Sequence, residues 1–138
     1  MNEGRGLPPE TTCLINPKAA NSKWMRKKKL RDYLHSRLPG RIHDVMSNKE
    51  NTVELSRRTS VRSQILIAIG GDGTIADVIQ GIMEAGRHKD VALGIIPFGS
   101  GNAFRKSFGI RKNTRKAIRQ LIGGYVREVD LMKVAGRY

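Results

Sequence analysis

The chain has 138 residues, and its 26 Lys or Arg against 12 Asp or Glu give a formal net charge of +14. This length fits one domain, and a hydrophobic share of 38% excludes a chain that is disordered by composition. The single cysteine, Cys13, rules out a disulfide framework and a cysteine-based zinc site, and it favours a reducing, cytoplasmic setting. The charge predicts attraction to nucleic acid, anionic lipid or nucleotide phosphate without choosing among them.

Apolar runs alternate with amphipathic stretches along the chain, and this rhythm predicts a parallel sheet with helical connections. The predicted elements, in chain order, are a strand over 12–15, a helix ending near 38, a strand over 41–46, a helix over 52–62, a strand over 64–69, a helix over 74–85, a strand over 91–96, helices over 102–108 and 113–122, and a strand over 125–134. The run 65–69 has no polar alternation, as expected of a strand covered by helices on both faces. It is too short to span a membrane.

The best functional signal is Gly70-Gly71-Asp72-Gly73-Thr74, between a buried strand and an amphipathic helix. Glycines permit positive φ and close backbone approach, and the N-terminus of the helix offers unpaired N–H groups, so the loop is predicted to receive phosphate. A carboxylate about 4 Å from a phosphate is repelled by roughly 4 kcal/mol at an effective dielectric constant of about 20. Asp72 is therefore predicted to bind Mg²⁺ or to accept a proton from an attacking hydroxyl, with a local Asx turn as the alternative. Thr74 and Asp77 fit a capping box and a ligand contact equally.

Two further loops follow strands of the predicted sheet. The segment Pro97-Phe98-Gly99-Ser100-Gly101-Asn102 offers Ser100 and Asn102 as hydrogen-bonding partners for phosphate or ribose, or as caps of the next helix. The polar turn 16–21 follows the first strand. Carboxyl ends of parallel strands share one rim, so the three loops predict a ligand crevice there.

Two other classes of protein fit parts of the pattern. Residues 71–76 satisfy the glycine fingerprint of dinucleotide-binding oxidoreductases, but the acidic residue that should end the next strand is missing, because Asp90 precedes that strand. The charge fits a nucleic-acid-binding module, but the few aromatic residues do not interleave with the basic clusters. Both classes are therefore disfavoured.

In this order, Asn16-Pro17, the 70–74 motif, the 97–102 motif and Val129-Asp130-Leu131 resemble the catalytic domain of the diacylglycerol kinase and lipid kinase family, which includes sphingosine and ceramide kinases. NAD kinases and phosphofructokinases share a similar Gly-Gly-Asp-Gly loop. The resemblance implies a Rossmann-like, three-layer α/β domain with a mainly parallel sheet, the N-terminal lobe of a two-lobe lipid kinase. Residues 1–10 would be a flexible N-terminus, 11–128 the ATP-binding lobe, and 129–138 the start of a second β lobe that this chain lacks.

The resemblance also implies ATP-dependent transfer of a phosphoryl group to a lipid hydroxyl, with Mg²⁺ as cofactor. A noncatalytic nucleotide-binding lobe and an NAD kinase-like enzyme are the alternatives. Asp72 is the implied catalytic residue, and Asp72 and Asp130 are the implied metal ligands. The residues implied to bind the nucleotide are Asn16, Pro17, Lys18, Ala19, Ala20, Ser47, Gly70, Gly71, Gly73, Thr74, Asp77, Gly99, Ser100 and Asn102.

The sequence departs from the family at three motif positions and in length, and one of these positions is Ala76-Asp77, where bacterial diacylglycerol kinases often have Asn-Glu. The family's first turn usually reads Asn-Pro-x-Ser-Gly, whereas this chain has Lys18-Ala19-Ala20, and Ala103 stands where bacterial diacylglycerol kinases generally carry Asp. The family's kinases are also roughly twice as long. Basic side chains at 23–31 oppose the helix dipole and predict an external anion nearby, with a solvated basic face as the alternative. The basic cluster at 105–119 fits anionic headgroups, and the predicted location is cytoplasmic and peripheral on the inner membrane. An unfinished sheet edge near Tyr138 predicts pairing into a homodimer.

Overall fold

A four-stranded parallel sheet organises the computed structural model, which describes residues 10–38, 40–98, 103–124 and 126–138. The strands are β1 (Glu10–Ile15), β2 (Arg41–Met46), β3 (Ile65–Gly70) and β4 (Ala92–Pro97). Their spatial order is β2-β1-β3-β4, and every neighbouring pair is parallel. The predicted α/β class is confirmed, and each of these strands lies within two residues of its predicted start and end.

Helical segments lie between the strands and after β4. They are a 3₁₀ turn (Ala19–Ser22), α1 (Lys23–Arg26), α2 (Lys28–Arg37), α3 (Thr52–Ser60), α4 (Asp72–Glu84), α5 (Ala103–Ser107) and α6 (Thr114–Gly123). The single helix predicted to end near residue 38 is divided instead. Lys27, with φ −100° and ψ 64°, leaves the helical region and separates α1 from α2.

The helices form one layer on each face of the sheet. Trp24 of α1, Leu34 of α2 and Ile118 of α6 pack on one face, together with Ile67 of β3. Helices α3, α4 and α5 contribute to the core on the other face, which includes Leu66 of β3 and the buried side of α4. Because successive β3 residues enter opposite cores, the strand is apolar throughout, which confirms the interpretation of its continuous hydrophobic run.

Helices α3 and α4 pack closely at Gly81. A Cβ atom at this position would lie 2.5 Å from the Cβ of Ser56 and 2.7 Å from the backbone N of Arg57, and it would also meet the carbonyl oxygen of Val53. The Ser56 hydroxyl donates a hydrogen bond to the carbonyl oxygen of Val78, at 2.6 Å. The missing side chain at Gly81 therefore sets the separation of these two helices.

The prediction of a strand over residues 125–134 is wrong. Residue 125 lies outside the described part of the chain, residues 126–133 have no regular secondary structure, and Val134 forms only an isolated bridge with Arg137. Val126 and Met132 are exposed, because no described strand lies beside them. The segment instead returns to α4, where the backbone N–H of Tyr138 donates to Gln80 Oε1 at 2.9 Å. The sheet edge expected near Tyr138, the basis of the predicted homodimer, is not formed by the described residues.

The helices in the described ranges do not include one that is long and apolar enough to cross a membrane.

Replacement of Gly81 by alanine is expected to lower the free energy of unfolding by about 1–3 kcal/mol, because α3 and α4 must move apart to admit the new methyl group. Gly123→Ala is the matched control. A Cβ atom on this helical glycine would meet no other atom within 4 Å, so its substitution should be neutral or stabilise by up to about 1 kcal/mol. Urea denaturation measures both changes, and equal stability of the two variants would contradict the close packing.

Candidate active site

The strand order reverses between β1 and β3, and this reversal locates the candidate site. The chain proceeds outward from β1 to β2 on one side and from β3 to β4 on the other. In open α/β sheets, the carboxyl ends of the strands at such a point leave a crevice for ligands. Ile15 and Ile69 are partners in the parallel register, so the turn after β1 and the glycine loop after β3 leave the same rim side by side.

Asn16 joins these two loops. Its backbone N–H donates to the carbonyl oxygen of Ile69 at 3.1 Å, and its side-chain Nδ2 donates to Thr74 Oγ1 at 3.3 Å. Its Oδ1 accepts a hydrogen bond from the backbone N–H of Lys18 at 3.1 Å, which closes the turn. The side chain of Lys18 is exposed beside this turn. The polar turn is thereby fixed against the first turn of α4.

The other residues predicted in this part of the rim lie beside Asn16. Pro17 and Ala19 are half-buried, and Ala20 belongs to the 3₁₀ turn. Ser47 follows β2 and is buried, and its backbone N–H donates to the carbonyl oxygen of Ile15 at 2.8 Å. Ser47 therefore lies next to the first turn, on the side of β1 away from β3.

The glycines after β3 have different roles. Gly71 precedes α4 in an extended conformation (φ −86°, ψ −175°), and none of Gly70, Gly71 and Gly73 uses the positive φ that glycine permits. A Cβ atom at Gly70 would lie 2.8 Å from the Thr74 side chain, whereas one at Gly73 would meet no atom within 4 Å. Gly70 is thus required by packing, and Gly73 leaves open space at the start of α4.

The capping-box interpretation of Thr74 and Asp77 is also wrong. Helix α4 begins two residues before Thr74, and its N-cap is Gly71, which has no side chain to cap the first turn. Thr74 is buried and accepts the hydrogen bond from Asn16. Asp77 Oδ1 pairs with Arg137 Nη2. The N–H groups at the start of α4 are therefore left without a side-chain partner among the described residues.

Asp72 connects the glycine loop to the third loop. Its Oδ2 accepts a hydrogen bond from the backbone N–H of Ala103 at 2.8 Å, and its Oδ1 accepts one from Phe104 at 3.2 Å. The carboxylate thus caps α5, whose first residue is 31 positions away in the chain. The alternative prediction, a local Asx turn at Asp72, is therefore wrong. The two N–H donors partly offset the negative charge of Asp72, and this reduces the repulsion between the carboxylate and a bound phosphate.

The third loop is held at both ends by the glycine loop. The backbone N–H of Phe98 donates to the carbonyl oxygen of Gly70 at 2.7 Å, and Ala103 is bound by Asp72. Gly99, Ser100 and Asn102 lie outside the described residues. The residues on either side of them nevertheless place both ends of this loop at the rim.

A magnesium ion fits Asp72 better than Asp130. Each carboxylate oxygen of Asp72 accepts one N–H and keeps a second lone pair, and Mg²⁺ is usually bound by one or two carboxylates together with water and substrate phosphates. Asp130 is exposed in the irregular segment 126–133, and no metal-ligand cluster of the described residues includes it. The geometry brings Asn16, Thr74 and Asp72 together and leaves Asp130 without a defined place at the site.

Comparison with known proteins gives a family match over residues 10–134, to the diacylglycerol kinase catalytic domain. The chain is 31% identical over 131 residues to a protein of Enterobacter sp. (strain 638) named "Probable lipid kinase YegS-like", covering 91% of this chain and 42% of that protein. It is 38% identical over 87 residues to a diacylglycerol kinase of Staphylococcus saprophyticus, covering 63% of this chain and 28% of that protein.

Solved structures also include ones with a fold similar to that of this chain. A diacylglycerol kinase structure from Bacillus anthracis superposes with a TM-score of 0.81 at 21% identity, covering 96% of this chain and 48% of that one. The chain therefore spans less than half the length of the relatives it matches.

Replacement of Asp72 by alanine is expected to lower the free energy of unfolding by about 0.5–2 kcal/mol, because the first N–H groups of α5 lose their cap. The backbone amides of Ala103 and Phe104 should also exchange faster with solvent in an NMR experiment. Asp130→Ala removes an exposed carboxylate and should change stability by less than about 0.5 kcal/mol. Unchanged exchange at both amides in the Asp72 variant would rule out the cap.

Proposed function

From the premise that this chain belongs to the diacylglycerol kinase catalytic-domain family, we propose that it is the nucleotide-binding lobe of an ATP-dependent lipid kinase. The observation that carries the proposal is the pair of side-chain links, Asn16 to Thr74 and Asp72 to Ala103, that hold three loops on one rim. A noncatalytic nucleotide-binding lobe and an NAD kinase-like enzyme share this rim chemistry. Transfer of phosphate to a lipid separates the proposal from both.

The start of α4 is the proposed site for the ATP phosphates. Its first N–H groups have no capping side chain among the described residues, and the helix dipole gives them a partial positive charge. Gly73 leaves room for a close approach, and Lys18 adds an exposed cation at the neighbouring turn. These features favour a polyphosphate over a neutral ligand.

Asp72 is the proposed catalytic residue. As the lipid hydroxyl oxygen bonds to the γ-phosphorus and the bond to ADP breaks, the hydroxyl proton passes to a free lone pair of the carboxylate. The two N–H donors from α5 fix the direction of that carboxylate before substrate binds. Bound Mg²⁺, held by Asp72 and the phosphates, would supply neutralisation of the phosphate charge.

Gly73→Leu tests the phosphate site separately from folding. A leucine side chain would fill the open space at the start of α4 and is expected to weaken ATP binding at least tenfold, which corresponds to about 1.4 kcal/mol. Stability should stay equal or rise, because leucine is a better helix former than glycine. Fluorescent-nucleotide titration and transfer of radiolabelled phosphate from ATP to lipid vesicles give the two readouts.

The matched control is Gly123→Leu, which places the same side chain in open space at the end of α6. It should bind ATP like the unmodified chain. Equal ATP affinity in both variants would remove the start of α4 from the site. ATP binding that is sensitive to Gly73→Leu, without phosphorylation of the lipid vesicles, would favour the noncatalytic alternative.

The lipid would be reached at an anionic membrane surface. Residues 23–37 and 114–123, which form α1, α2 and α6 on one face of the sheet, include ten Lys or Arg and one Asp. We call their exposed side chains the basic face. Helices α3, α4 and α5 on the other face have four basic and four acidic residues. The positive charge is thus concentrated on one side of the lobe, which would orient it on a bilayer of anionic lipids.

Charge reversal on the basic face is expected to weaken binding to vesicles. Lys116→Glu together with Arg119→Glu removes two exposed cations of α6, each worth about 1 kcal/mol near an anionic surface, and affinity should fall at least tenfold. Arg58→Glu with Lys89→Glu makes the same change in net charge outside the basic face and should have a smaller effect. Flotation with anionic and neutral vesicles measures the difference.

Equal losses in the two double variants would show that net charge alone drives the binding. Binding to DNA without binding to anionic vesicles would favour a nucleic-acid partner and contradict the proposed membrane surface.

A further inference from the structure

A group of three potential metal ligands lies on the sheet away from the rim loops. Cys13 of β1 and Asp44 of β2 are partners in the parallel register, and His35 of α2 lies over them. His35 Nε2 is 3.0 Å from Asp44 Oδ1, and the three ligand atoms all lie within 4.8 Å of one another. Among the His, Cys, Asp and Glu side chains of the described residues, these are the ones that come together as a group of three.

We propose that Cys13, His35 and Asp44 bind a zinc ion, with water as the fourth ligand. A thiolate, an imidazole and a carboxylate are the ligand types that Zn²⁺ takes, and three protein ligands with one open position form a common tetrahedral arrangement. Ligand atoms around a tetrahedral Zn²⁺ are about 3.3–3.5 Å apart, given bond lengths of about 2.0–2.3 Å. The three ligand atoms lie within 4.8 Å of one another, so small movements of their side chains would bring them to these separations.

The charges of the ligands suit a divalent cation in a basic protein. Burial, together with the Asp44 charge, raises the pKa of the Cys13 thiol, so the thiol holds its proton when no metal is present. Zinc binding forms the S–Zn bond and releases that proton to solvent. The thiolate and the carboxylate then neutralise the two charges of the ion.

The exposure of two of the three residues leaves the site open to an ion from solvent, and the bound ion would link two elements of the fold. Cys13 is fully buried, whereas the side chains of His35 and Asp44 are 38% and 27% exposed. An ion and its water ligand can therefore approach from the side of His35 and Asp44. Once bound, it would join α2 to β2, the edge strand of the sheet, whose residues are largely exposed.

A zinc ion at Cys13 is contrary to the sequence-based prediction, which rules out a cysteine-based zinc site because the chain has a single cysteine. A mixed site needs only one. Its ligands come from β1, α2 and β2, so no local spacing reveals it. The inference stands independently of the proposed kinase activity, because none of the three residues belongs to the rim.

Titration of the full chain with Co²⁺, a spectroscopic substitute for zinc, tests the site. One equivalent is expected to produce a thiolate-to-cobalt absorption band in the near ultraviolet and the visible bands of four-coordinate cobalt, and Zn²⁺ should displace it. Cys13→Ser should abolish the thiolate band, and His35→Gln and Asp44→Asn should each weaken binding at least tenfold. Zn²⁺ should also raise the melting temperature of the unmodified chain, and a chelator should reverse the rise.

His43→Gln is the matched control. His43 lies on the same strand as Asp44 but faces Glu10, with 3.4 Å between His43 Nε2 and Glu10 Oε1. This variant should bind Co²⁺ like the unmodified chain. Absence of the thiolate band in the unmodified chain, or equal losses in His43→Gln and His35→Gln, would overturn the proposal. If Cys13→Ser does not fold, as judged by circular dichroism, the Asp44→Asn and His35→Gln titrations decide.

Discussion

The carboxylate of Asp72 accepts two backbone N–H groups of α5, and the geometry of the candidate site depends on this contact. Without it, the helix after β4 has no described link to the start of α4 other than side-chain packing. Asn16 performs the same task on the other side through Thr74. These two polar side chains thus link the loops that follow three strands into one continuous rim. Asp72 both holds the loops together and is the proposed catalytic residue.

Much of the fold follows from hydrophobic periodicity. The continuous apolar run gives β3, which is buried from both sides, and the position of β2 is predicted to the residue although most of its residues are exposed. The strand expected over 125–134 fails because β structure needs a neighbour, and the apolar residues of a segment do not reveal whether one is present. The division of the first long helix at Lys27 depends on backbone angles that the helical pattern of side chains does not encode.

The candidate site is predictable as a location but not as a set of contacts. Motifs identify Asn16, Asp72 and Thr74, yet the partners of Asn16 and Asp72 lie 58 and 31 residues away in the chain. The capping-box error has a simple cause, since α4 starts at Asp72, two residues before the threonine that the motif assigns as its cap. The glycine motif likewise does not reveal that its glycines have different roles. Gly70 packs against the Thr74 side chain, whereas Gly73 faces open space. Family membership supplies the class of chemistry, and the contacts show how this chain holds its loops in place.

The composition of β2 has a consequence for the behaviour of the protein at high concentration. An unpaired edge of a sheet is a template on which another chain can add a strand, and charged side chains along that edge oppose such addition. Arg41, His43 and Asp44 place ionisable groups on both faces of β2, the outermost of the described strands on its side of the sheet. Growth of the sheet into fibrillar aggregates from this side is therefore discouraged by the amino acids that form the strand itself.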